Sequence, residues 1–180
     1  MISNKDRYIA GIRKARGEHN KWLHKIKLMI SGMEVNKNAV ELNQSESPFG
    51  HWLYSEAILL STLNSKSTLL EIEALFNACY WEYHKIYNVL FNGKEGLFGS
   101  LFGNKKPSSS DLMISQNYYE ELVRKSDELL NKIRIYENQV QANHEEKFDG
   151  LYPKEEITHK ETPKPKEERY YRGSLISDDE

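Results

Sequence analysis

The sequence predicts an all-α protein, an antiparallel four-helix bundle with a glycine-rich loop before its last, long helix and a disordered C-terminal tail. Two observations carry the helices: apolar residues recur at three- and four-residue steps in four separate stretches, and no stretch carries a strand signal. A third observation carries the tail. After about His144 the aliphatic residues almost vanish, glutamate and lysine alternate, and three of the chain's five prolines appear. Such a composition cannot bury enough apolar area to offset its ordering entropy. The expected division is a bundle over residues 1–145 and a tail over residues 146–180.

Ser3 followed by Asp6 reads as a capping box, and behind it Tyr8, Ile12, Ala15, His19, Trp22, Ile26, Met29 and Met33 form one stripe. The first helix should end near Gly32. The polar residues from Glu34 to Glu46 read as a connection. A second helix starts at Ser47-Pro48, with serine as cap and proline in the first turn, and runs to about Leu63, where Asn64-Ser65 marks its end. From Ser67 to about Phe91, the residues Leu69, Ile72, Phe76, Cys79 or Tyr80, Tyr83, Tyr87 and Leu90 give a third, aromatic-rich helix. Glycines 93, 96, 99 and 103 then make continued helix costly, so residues 93–110 form a loop in which Leu-Phe-Gly occurs twice. Its pairs, Leu97-Phe98 and Leu101-Phe102, are either an exposed binding patch or a cluster folded back on the bundle. The last helix follows a Ser110 cap and places Leu112, Tyr119, Leu122, Leu129, Ile133, Tyr136 and Val140 on one stripe. Its roughly 35 residues would span about 50 Å. That stripe suits packing within the chain or the seam of a homodimeric coiled-coil arm.

A net charge of −2 gives no electrostatic reason to bind nucleic acid, which needs a concentrated basic patch. No apolar stretch has the length of a membrane span, and the N-terminus has no signal-peptide core. The single cysteine, Cys79, excludes an internal disulfide and fits the reducing cytoplasm. Enzyme chemistry has no foothold: GxxxxGK, HExxH, GxSxG and a strand-linked GxGxxG are all missing, and the pairs Glu120-Glu121 and Glu145-Glu146 read as solvated faces. A non-enzymatic protein is expected. The end of the tail, RYYRGSLISDDE, regains Tyr170, Tyr171, Leu175 and Ile176 and has the makeup of a short docking peptide.

The histidines carry more information. His19 lies on the apolar stripe of the first helix and should point inward, where an imidazole needs a carbonyl, a carboxylate, a hydroxyl or a metal as partner. His84 follows Tyr80 by one helical turn, so the two share a face. Together, His19-x-x-Trp22, Ser47-x-Phe49-Gly50-x-Trp52-Leu53-Tyr54 and Tyr80-x-x-x-His84 resemble the chemoreceptor zinc-binding domain family over residues 8–92. That family has helical bundles at the ends of bacterial chemoreceptors and in diguanylate cyclases, holding one zinc with three histidines and a cysteine.

On this resemblance, the family's first and last ligands fall on His19 and His84, while Ser47 stands at the cysteine position and Tyr80 at the remaining histidine. Neutral hydroxyls are poor substitutes for thiolate and imidazole in a closed tetrahedral zinc shell. The resemblance therefore implies an interaction or regulatory protein with a lost or weakened zinc site. Its partners would be proteins of a bacterial sensory, chemotaxis, motility or second-messenger assembly. In that reading a hydrogen bond from the Tyr80 hydroxyl to an imidazole plugs the metal cavity, and no cofactor is held. The alternative is a zinc-responsive cytosolic sensor with a rearranged set, His19, His84, Cys79 and His51.

Overall fold

A computed structural model of the chain describes residues 3–33, 36, 38–92, 107–151, 170–171 and 174–175. Helix α1 spans Asn4–Ile30, and the Ser3 hydroxyl accepts a hydrogen bond from the Asp6 amide at its start. Just past its end, Gly32 adopts φ +78°, the left-handed conformation that stops helices and suits glycine. The inward stripe is as the spacing predicts from Tyr8 to Met29, whereas Met33 lies past the helix and is exposed.

The second predicted helix is corrected. Helix α2 spans only Pro48–Tyr54, and the backbone breaks at Ser55 (φ −122°, ψ −79°) before α3, Glu56–Leu60, begins. Asn64-Ser65, read as a stop, lies inside a π-helical turn, Ser61–Ser65, that carries the chain straight into α4, Lys66–Tyr87. The physical reason lies in the side chains. Ser55 donates to the His51 carbonyl and closes α2, whereas Ser61 and Thr62 donate back to the Ile58 and Leu59 carbonyls from within a continuing helix. A second π turn, Asn88–Asn92, extends α4.

The last helix, α5, spans Ser109–Gln141. Its cap is Ser108 rather than Ser110: the Ser108 hydroxyl accepts from the Asp111 amide at 3.2 Å, and the Asp111 carboxylate accepts from the Ser108 amide at 2.9 Å. Helix α5 runs antiparallel to α1, as Lys5 meets Asn143, Arg13 meets Glu137 and Gly32 meets Leu112. It is also antiparallel to α3 and α4, with Tyr136 on Ala57, Lys132 on Glu71 and Lys125 on Glu82. Leu122, Leu129, Ile133, Tyr136 and Val140 are fully buried in the shared core. The stripe read as a homodimer seam is therefore spent inside the chain, and no arm projects along it.

Described structure continues past the expected 145/146 boundary. Residues Glu145–Phe148 form a 3-10 turn that buries Phe148 against Tyr8, ring centroids 5.9 Å apart, and Leu151 packs partly buried beside the core. Farther on, Tyr170–Tyr171 and Ser174–Leu175 pair as a short antiparallel hairpin, with Tyr170 opposite Leu175. Leu97, Phe98, Leu101, Phe102 and Ile176 lie outside the described residues, as do the side chains of Tyr170, Tyr171 and Leu175. Among the described residues no helix is long and apolar enough to cross a membrane.

Candidate functional site

Residues 47–54, SPFGHWLY, are built for packing. Ser47 accepts from the Gly50 amide at 3.0 Å and donates to the Gln44 carbonyl at 2.8 Å, so its hydroxyl both caps α2 and ties it to the preceding 3-10 turn, Gln44–Glu46. A Cβ on Gly50 would fall 1.9 Å from the Gln44 carbonyl oxygen. Only glycine permits that approach. Phe49, Trp52 and Leu53 turn inward while His51 stays exposed.

His19 reaches the centre of the molecule, 1% exposed. Its Nε2 shares a 2.8 Å hydrogen bond with the Ser126 hydroxyl on α5, and its ring stacks on Trp22 at 5.4 Å with Phe49 and Phe76 around it. Burial lowers its pKa from the ordinary 6.5 to about 4. The imidazole is neutral at pH 7, and among the described residues its Nδ1 has no hydrogen-bond partner. Although a serine hydroxyl at 2.8 Å from an imidazole has nucleophile–base spacing, no group orients Nδ1, and both side chains are sealed beneath aromatic rings.

Trp22 stacks in turn on Tyr80, centroids 5.0 Å apart. The Tyr80 hydroxyl faces Ser47 and the Trp22 indole nitrogen without closing a well-formed hydrogen bond to either, and burial pushes its pKa up to about 12. The expected bond from Tyr80 to an imidazole is therefore absent. His84 meets Tyr80 edge-on at 6.1 Å and donates its Nε2 proton to the Leu42 carbonyl at 2.8 Å.

His19, Ser47 and Tyr80 are thus gathered around Trp22, while His84 is not. His19 lies level with Phe76, and His84 is eight residues, about 12 Å, farther along α4. Cys79 is buried on the side of α4 that faces Lys125 and Glu128, its thiol pushed up to about 12 by burial. With His51 on the surface, the rearranged set does not assemble. Among the described residues no three His, Cys, Asp or Glu side chains come together as a metal cluster. The donors that do meet are one imidazole, a serine hydroxyl engaged twice and a phenol held protonated; they do not fit zinc.

Ser126 carries no motif of its own in the sequence, yet it sits between Leu122 and Leu129 at four- and three-residue steps on the apolar stripe. A hydroxyl at an inward position is the signal that pairs it with the inward histidine of α1. Compared with known family models, curated proteins and solved structures, the chain matches none.

Proposed function

We propose that the chain is a non-enzymatic interaction protein on the plan of the chemoreceptor zinc-binding domains, with the zinc position closed by its own side chains. It acts in the cytoplasm through protein partners of a bacterial chemotaxis, motility or second-messenger assembly. In this plan the connection and α2 form the short descending limb of an antiparallel four-helix bundle. The observation that carries the reading is the His19–Trp22–Tyr80 stack with Ser47 beside it. Three positions that the resemblance assigns to zinc meet there from three elements, yet the Ser47 hydroxyl and His19 Nε2 are spent on protein groups. With that core closed, the surface remains as the means of acting, and the Leu-Phe pairs of residues 97–102 supply an apolar contact.

One preparation tests both halves. After dialysis the full-length protein should hold far less than one zinc per chain by elemental analysis. One zinc per chain, removed by both His19→Ala and His84→Ala, would overturn the closed site. Deleting residues 96–103 should abolish retention of its partners while the helical spectrum persists. Unchanged retention would remove the loop from the interface.

A further inference from the structure

The edge of the Trp22–Tyr80 stack holds three polar atoms that do not satisfy one another. Trp22 on α1 is 5% exposed, Tyr80 on α4 3% and Ser47 at the start of α2 2%. Among the described residues neither the Trp22 indole nitrogen nor the Tyr80 hydroxyl has a well-formed hydrogen bond. The stack itself is the reason. Its ring centroids are 5.0 Å apart and its planes 26° from parallel, so the indole N–H, which lies in its own ring plane, points past an oxygen that lies in the neighbouring one. A straight bond would need one ring tilted out of the stack. Ser47, which the Tyr80 hydroxyl also faces, gives its proton to the Gln44 carbonyl at 2.8 Å and one lone pair to the Gly50 amide at 3.0 Å. Its second lone pair remains.

Buried polar groups are as a rule hydrogen-bonded, and these three atoms define the group that would complete them. It must accept from an indole, which only donates, so a cation is excluded. It must share a hydrogen bond with a phenol and can donate to the remaining lone pair of Ser47. An anion could accept from the first two but has no proton for the third, and the carboxylates of Glu41 and Glu46 already act on Tyr80, against a further negative charge. A neutral group that both accepts and donates is left. Water is the smallest, and about three hydrogen bonds are typical of a buried one. Tyr80 and Gln44 also line an open hollow of about 410 Å³ beside Trp81 and His84. The Tyr80 side chain thus borders both the three-atom site and solvent, which provides a path for exchange.

We propose that Trp22 Nε1, Tyr80 Oη and Ser47 Oγ form a binding site for one ordered internal water. The water accepts from the indole, bonds the phenol hydroxyl and donates to the serine oxygen, and so ties α1, α4 and the start of α2 together. The site stands on these three atoms and is independent of any kinship with zinc-binding domains.

Oxygen-17 magnetic relaxation dispersion of the full-length chain tests it, because it registers long-lived water molecules and not exchanging hydroxyl protons. Tyr80→Phe keeps the stacked ring and removes the oxygen; with the helical spectrum unchanged, it should lower the dispersion amplitude by about one water per chain. In the wild type, which needs no variant, the Trp22 indole proton should show a cross-relaxation peak with water. Equal amplitudes for the wild type and Tyr80→Phe would overturn the proposal, and so would a Trp22 indole proton with no water peak. A difference between the two proteins that appears in chloride buffer but not in sulfate would assign the site to an anion and overturn it as well. None of these results bears on zinc content, so failure here is distinct from failure of the closed-site reading.

Discussion

His19 is the side chain on which α1, α2, α4 and α5 converge, and it does so as a neutral ring with no carboxylate among its contacts. Burial lowers its pKa to about 4 from 6.5. Between those values the unfolded chain takes up a proton that the folded chain refuses, so stability is greatest above pH 6.5 and declines as the pH falls toward 4. A shift of that size corresponds to about 3 kcal/mol. Urea midpoints measured from pH 7 to pH 4 should fall in the wild type and fall less in His19→Gln. A profile indifferent to that substitution would mean that the ring is open to water. Glu82 adds a separate decline at lower pH. Its burial raises its pKa, but the ion pairs to Lys125 and Lys85 outweigh this and hold it below the usual 4.5. The stability that those pairs give is present above the ordinary carboxylate range and is lost as Glu82 takes up its proton.

At the scale of an element, the same substitution at two glycines should have opposite signs. Gly17, in the middle of α1, has open space where a Cβ would stand, so Gly17→Ala should stabilise by about 1 kcal/mol through helix propensity. Gly50→Ala gains the same propensity but drives a methyl group into the Gln44 backbone oxygen, which no side-chain rotation can relieve. A net loss of about 1–3 kcal/mol is expected by thermal or urea unfolding, and a stabilised Gly50→Ala would show that the contact yields. The contrast marks what could be read in advance. The Ser3 cap, the Gly32 stop, the Ser47-Pro48 start and the inward face of His19 are local signals, and each is in place. The break at Ser55 and the helical passage through Asn64-Ser65 are not signalled by residue type: serines bond back to carbonyls three or four residues earlier on both sides of the break, and what distinguishes the two places is the burial of Ala57 and Leu60 between them. In the same way the inward histidine was legible, but its partner Ser126, 107 residues away, required the register of α5.

Across the whole molecule, α5 is the element that closes the fold, packed antiparallel against both α1 and α4 with an ion pair on each side. Glu137 receives Arg13 at 2.6 Å and Arg16 at 3.2 Å from α1, and Glu82 receives Lys125 at 2.6 Å from α5. Where α5 ends, α1 begins, and that end of the core would be open without the chain that follows. Lys5 donates to the Asn143 carbonyl at 2.8 Å, and the 3-10 turn then lays Phe148 over Tyr8 with no exposed surface left. One aromatic side chain thus joins the last turn to the first helix across 140 residues of sequence. Phe148→Ala should cost about 3–5 kcal/mol, the range for emptying a fully buried aromatic position. The neighbouring exposed Glu146→Ala should stay within about 0.5 kcal/mol. Chemical denaturation of the full-length variants separates two pictures of the chain. If residues 146–151 belonged to a solvated tail, both substitutions would be silent; a loss confined to Phe148→Ala places the boundary of the folded unit beyond Phe148.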